Sequence, residues 1–203
     1  MNLTVCAAIP VYPENGIWYR AIQPQHWQTA LQTGQTRAIS SRFSGGSQSM
    51  PQFDVLYLAQ DHSVALFEVQ ALLGPPYGNF VPNPAQPWTI LNVQVVLRNV
   101  ADLTDHSSQQ SLQTTAQALT GDWLGYQQRG RSLSLTAPTG LAPTQELGAA
   151  MYSVPGLEGF KAVSAKVSDK RTLVVFPQKL QGGSFVRFHD QATGRQHTIR
   201  SQP

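Results

Sequence analysis

Short runs of alternating apolar and polar residues, separated by turn-forming clusters, predict a mixture of strands and helices. Gly16 to Ala21 (Gly-Ile-Trp-Tyr-Arg-Ala) reads as a first strand, and Gln25 to Gln32 as a short helix ending near Gly34. Residues 40–52, Ser-Ser-Arg-Phe-Ser-Gly-Gly-Ser-Gln-Ser-Met-Pro-Gln, form a polar, glycine-rich loop. Val55 to Ala59 reads as a short strand. Asp61 then has the character of an N-cap, and an apolar helix is predicted from there to Leu73. Residues 74–88 carry five prolines and end in Trp88, which predicts an ordered but irregular excursion. Thr89 to Leu97 alternates as a strand does, residues 105–119 read as a polar surface helix ended by Gly121, and a second helix is expected near Thr144 to Met151. Thr172 to Phe176 is a β-rich run closed by Pro177, and Ser184 to His189 reads as a last strand. Strands and helices mix without regular βαβ alternation, and no internal repeat is present, so the expected class is α+β.

One position breaks the pattern. On a helix of about 3.6 residues per turn, Glu68 shares a face with Val64, Ala65, Ala71 and Leu72, whereas Ser63 and Gln70 fall opposite. The only carboxylate after the cap therefore points where the apolar residues point. An ionised carboxylate in such a setting costs several kcal/mol unless it is paired.

The chain has 203 residues, which suits one domain over 1–203. Hydrophobic residues make up 41%, enough for a sizeable core, while charged residues are only 12%, about half the usual share. The net charge of +3 comes with no basic run interleaved with aromatics, so direct nucleic-acid binding is not indicated. The basic excess lies late, at Lys161, Lys166, Lys170, Arg171, Lys179, Arg187, Arg195 and Arg200, opposed there only by Asp169 and Asp190. It reads either as a solvated face or as a docking surface for an acidic partner or phosphorylated ligand. The lone Cys6 cannot form an internal disulfide, and no Cys/His spacing suggests a metal site. The first residues lack a positive leader, and no apolar run approaches the ~18 residues of a membrane span. A soluble, cytoplasmic protein is the expectation.

Nucleotide-loop, zinc-protease and nucleophile-elbow motifs are absent. The histidines, His26, His62, His106, His189 and His197, are scattered, which disfavours a Ser-His-Asp hydrolase. Two arginines stand in unusual places: Arg20 within the first strand, and Arg42 beside Phe43 in the glycine-rich loop. Arginine is rarely buried unless paired, and its planar fork suits phosphate or carboxylate. From sequence alone, Arg20 could equally form a structural ion pair with Glu68, and Arg42 could be an exposed loop charge.

The order Trp18-Tyr19-Arg20-Ala21, Ser41-Arg42-Phe43, then Tyr57-Leu58-Ala59 with Glu68 following resembles the RES domain family, named for an arginine, a glutamate and a serine. Later segments continue the resemblance in order: Ala101-Asp-Leu-Thr104, Leu119-Thr-Gly-Asp-Trp123, Thr144-Gln-Glu-Leu-Gly148, Gly159-Phe-Lys-Ala-Val-Ser164 and Leu173-Val-Val-Phe-Pro177. It covers roughly residues 16–180, leaving a C-terminal strand and basic tail over 181–203. The arginine loop departs from the family's frequent Gly-Gly-Arg-Trp-Asn, and the residues before Ser164 and the proline-rich insertion at 74–88 depart as well.

The resemblance implies an ADP-ribosyltransferase-like split β-core with flanking helices. It implies a toxin of a toxin–antitoxin pair that degrades NAD+ by cleaving the nicotinamide–ribose bond, with water or phosphate as acceptor. NAD+ would be the substrate, phosphate a candidate co-substrate, and no cofactor or metal is implied. The partner would be a helix-turn-helix, Xre-like antitoxin that plugs the site. DNA would be reached only through that antitoxin, and larger assemblies, homo-oligomers included, are compatible. The implied catalytic residues are Glu68, Arg20 and Ser164, with Arg42 and Tyr57 binding NAD+. The chemistry agrees with the residue types. Breaking a bond to nicotinamide builds positive charge on the ribose, which a carboxylate stabilises, while the pyrophosphate calls for arginine forks. Ser164 has no histidine base predicted nearby, so a positioning role is expected rather than covalent attack. The alternatives are ADP-ribosyl transfer to a macromolecule and a non-catalytic binding module.

Overall fold

The computed structural model describes residues 1–129, 140–191 and 193–201. Its frame is a seven-stranded sheet built mostly from antiparallel pairs. Strand β1 spans Val11–Ile22, and it begins five residues earlier than the sequence pattern predicts because a register shift between Tyr12 and Glu14 accommodates Pro13. Strand β2 (Leu56–Ala59) leads into helix α1 (His62–Glu68) and then into a small hairpin of β3 (Leu72–Leu73) and β4 (Val81–Pro82). Strand β5 (Thr89–Asp102) is the longest and pairs with β1 along nearly its whole length.

Helices α2 (His106–Ser111), α3 (Ala116–Leu119), α4 (Trp123–Arg129) and α5 (Pro143–Ser153) follow. The chain then returns to the sheet with β6 (Gly159–Val163), β7 (Arg171–Val175), β8 (Phe185–His189) and β9 (Gln196–Arg200). The order β1-β2-β7-β6-β5-β8-β9, with a further β1–β5 pairing, closes the first five of these strands on themselves. Among the described residues the only parallel pair is β5 with β6, where Asp102 lies opposite Lys161. The class is α+β, as the pattern predicts.

Alternation decides which side chains fill the core. On one face of the sheet, Leu56 and Leu58, Leu173 and Val175, and Leu91, Val93, Val95 and Leu97 pack with Trp18 and Ile22. On the other face, Phe160, Ala162 and Val174 meet Leu112, Leu119, Leu147 and Met151 from the helices. A third cluster joins α1 to the sheet through Val64, Ala65 and Phe67 against Ala21 and Ala59.

Other local outcomes also differ from the sequence pattern: the helix expected over 25–32 is a 3₁₀ turn, Pro24–Thr29, and β5 runs on past Leu97 to Asp102. Helix α1 stops at Glu68 rather than Leu73 because Gln70 takes a left-handed conformation (φ 59°), and the amides of Gln70 and Ala71 turn back to Phe67 O and Leu66 O. The polar segment 105–119 divides into α2 and α3 by the same device at Gln113 (φ 51°). The strand ending at His189 is not the last, since β9 adds to its free edge.

Three of the late basic residues have partners of their own. Lys161 pairs with Glu14 (3.4 Å) and Asp102 (3.2 Å), and Lys170 pairs with Asp61 (3.3 Å). Lys179 donates to the Tyr152 and Val154 carbonyls at the end of α5, where a cation suits the exposed carbonyls.

Candidate active site

The strand that carries Arg20 has Trp18 and Ile22 facing the core, and Arg20 occupies the position between them, opposite the fully buried Leu91. A cation stands where the alternation asks for an apolar side chain. Its Nη1 is buried and has no hydrogen-bond partner, and no carboxylate pairs with it among the described residues. Desolvation by this burial lowers the guanidinium pKa to about 10. The ion pair between Arg20 and Glu68 that the sequence allowed is not formed.

Glu68 is the last residue of α1, which Asp61 starts by accepting the Val64 amide at 3.0 Å. Burial works against ionisation of Asp61, but the Val64 amide, the Ser63 hydroxyl and the Lys170 ammonium outweigh it and hold the carboxyl below its ordinary range. At the far end of the helix, Glu68 is anchored by Ser164, whose hydroxyl donates to Oε1 at 2.6 Å, and by the Ala165 amide at 3.2 Å. Ser164 itself is fixed. Its N–H bonds Lys170 O, and its Oγ accepts the amides of Lys166 and Val167 at 3.2 Å each. With its proton given to Glu68 and its oxygen holding two amides, the Ser164 hydroxyl is fully engaged and fixes the Glu68 carboxylate in place. These two bonds and a longer one from the Thr172 hydroxyl (3.5 Å) all fall on Oε1, and Oε2 has no partner among the described residues.

Arg42 is buried. It donates from Nη1 to Val163 O at 3.2 Å and lies 4.9 Å from the Phe43 ring centre. The loop that carries it is held on both sides. From β2, the Tyr57 hydroxyl accepts the Phe43 amide at 3.0 Å and shares a 2.9 Å bond with Ser41 Oγ. Burial is the largest influence on that phenol and raises its pKa. From α5, Gln145 donates to the carbonyls of Ser41 (2.9 Å) and Ser44 (3.4 Å). Gly148 lets the helix lie against the loop, since a β-carbon there would come within 1.9 Å of Phe43 O. The Thr144–Gly148 segment is thus the clamp on the arginine loop.

Arg20, Arg42, Tyr57 and Glu68 line one cavity of about 360 Å³. Ser164 stands behind Glu68 rather than in the wall. The cavity is also lined by Tyr19, Thr36, Trp123 and Thr172, none of which the sequence pattern singled out as site residues. For Trp123 the signal was its place at the end of the Leu119–Trp123 segment. Tyr19 meets His62 in a tilted contact with ring centres 4.0 Å apart, and Thr172 is brought in by β7 beside β2. Among the described residues no cluster of His, Cys, Asp and Glu is arranged to hold a metal ion, and no helix is long and apolar enough to cross a membrane.

Fold and site together define an α+β protein in which one cavity joins an unpaired arginine to an anchored glutamate. The chain belongs to the RES domain family, whose profile matches residues 17–193. Among solved structures it is similar to the M. tuberculosis MbcT-MbcA toxin-antitoxin complex, with a TM-score of 0.62 at 15% identity, covering 98% of this chain and 91% of that one. The likeness at that identity is one of fold. A search of curated proteins gives no match.

Proposed function

We propose that this protein is an enzyme that consumes NAD+ by breaking the nicotinamide–ribose bond, and that it acts as the toxin of a toxin–antitoxin pair. The observation that carries the reading is the pairing left undone. Arg20 and Glu68 share one cavity without satisfying each other, Arg20 through a buried orphan nitrogen and Glu68 through a free Oε2. A buried charge without a partner is costly, so its retention is explained by a ligand that brings the partner. A substrate with negative phosphates and a ribose that becomes cationic at the transition state supplies both.

In this reading the arginines take the pyrophosphate. Glu68, held by Ser164, turns Oε2 towards the ribose hydroxyls and stabilises the oxocarbenium-like state as nicotinamide leaves. Tyr19 and Trp123 offer ring faces to the nicotinamide. Water or phosphate then attacks the sugar carbon that nicotinamide has left. The neighbouring fold in a toxin–antitoxin complex supports a protein partner, which we propose to be a helix-turn-helix antitoxin that blocks the cavity in the cytoplasm.

Purified protein incubated with NAD+, with and without phosphate, tests the reaction and its acceptor. NAD+ should disappear, yielding ADP-ribose or its phosphorylated form, and Glu68→Gln should slow this at least about a hundredfold with the fold intact. Unchanged turnover in Glu68→Gln would sink the site assignment. Label from NAD+ appearing on protein or nucleic acid would turn the reading to ADP-ribosyl transfer.

A further inference from the structure

A second cavity, of about 490 Å³, adjoins the first and shares Arg20 and Ala21 with it. The 3₁₀ turn Gly34–Arg37 runs between the two, with Gln35 lining the second cavity and Thr36 the first. The other walls come from the 3₁₀ turn Pro24–Thr29 and from Trp88, the last residue of the proline-rich excursion.

The chemistry of this lining is distinctive. Gln23, Gln32 and Gln35 supply side-chain amides, Trp88 a large aromatic surface and His26 an imidazole, and Arg20 is the only permanent charge. No carboxylate and no lysine is present among the described lining residues. Trp88 is half-buried against the α1 cluster, stacks on no other ring and gives its indole N–H to no partner among the described residues. Gln32 is exposed, and its side-chain amide has no partner among the described residues. Such a wall suits a neutral, flat heteroaromatic group with hydrogen-bonding edges, not a second phosphate or a charged peptide. The first cavity, at about 360 Å³, lies at the small end of the range for ligand pockets, and a dinucleotide has two bases to house. Arg20 lines both spaces, so its guanidinium stands at their junction, where the linking phosphates of such a ligand would lie.

We propose that the second cavity binds the purine nucleoside end of a dinucleotide whose other end occupies the first cavity, with Trp88 as the stacking platform and Arg20 as the clamp on the phosphates between them. The assignment rests on the NAD+ reading of the first cavity, but Trp88 and the glutamines it adds to Arg20 have no part in the cleavage chemistry. It also gives the proline-rich segment a task. Gln86 hydrogen-bonds Gln23, and Asn83 bonds Ala71 and Gln70, which tethers the segment over α1 so that Trp88 is delivered to the end of β1.

Calorimetric titration with AMP and with nicotinamide mononucleotide separates the two ends. Trp88→Ala should weaken AMP roughly tenfold or more while leaving nicotinamide mononucleotide within about twofold, and Trp88→Phe should restore most of the AMP affinity. In turnover, Trp88→Ala should raise KM for NAD+ about tenfold with kcat nearly unchanged. Gln32→Leu combined with Gln35→Leu, at exposed turn positions, is a second arm that does not disturb the packed tryptophan and should also weaken AMP selectively. Equal AMP affinity in wild type and Trp88→Ala overturns the proposal, as does parallel loss of both probes in all three variants. The two readings fail separately. AMP bound through Trp88 by a protein that never consumes NAD+ leaves the purine site standing and removes the catalytic reading. NAD+ turnover with KM unmoved in Trp88→Ala does the reverse.

Discussion

Arg20 concentrates the physical problem that this chain poses. Its guanidinium stands in a core-facing row with one nitrogen unpaired, and burial lowers its pKa to about 10. A cation whose folded pKa is depressed costs stability at every pH below that value. The cost is relieved only as pH rises from about 10 towards the unfolded pKa, because the unfolded chain then holds the proton that the folded chain has lost. The cost is on the order of 1–3 kcal/mol. Arg20→Met should therefore melt a few degrees higher than wild type by calorimetry while losing NAD+ turnover, opposite signs that a merely structural arginine would not give. In the wild type, affinity for ADP-ribose should fall as pH rises through about 10, because the neutral guanidine no longer answers the phosphates. Glu68 shows the complementary arrangement, a carboxylate with one oxygen anchored and the other left open.

At the scale of elements, the site depends on where α1 ends. The helix must stop at Glu68 for the carboxylate to meet Ser164, and it stops at the left-handed Gln70, where the Gln70 and Ala71 amides return to Phe67 O and Leu66 O. Glycine usually fills that position, since other residues strain there, yet here it is Gln70, and Gln113 repeats the substitution after α2. Gln70→Gly and Gln113→Gly should each stabilise the protein by about 0.5–1 kcal/mol in urea denaturation without altering turnover. The sequence showed the start of α1 through Asp61 but not its end, because glutamine carries no stop signal. It likewise gave β1 its centre but not its first five residues, where pairing with β5 overrides the break that Pro13 suggests.

At the scale of the whole molecule, the arginine loop and the sheet are locked together by α5. Gly148 sits so close to Phe43 O that any side chain must push the helix and the loop apart. Gly148→Ala should cost roughly 2–4 kcal/mol and weaken NAD+ binding through Arg42, read by thermal melting and KM together. The sequence by itself determined the α+β class, most strand centres, the cap at Asp61 and the ordered string of segments that carries the family resemblance. Those are written in alternation and local turn chemistry, which act over a few residues. It also singled out Glu68, Arg20, Arg42, Tyr57 and Ser164, but it left their relations open. Whether Arg20 pairs with Glu68, whether the Tyr57 hydroxyl faces a ligand or the loop, and how Trp88 and Trp123 approach the cavities depended on contacts between residues far apart in the chain. Those contacts exist only once β1 closes on β5 and α5 has docked. The tertiary structure kept Arg20 and Glu68 apart, tied Tyr57 to the loop and gave Ser164 to Glu68.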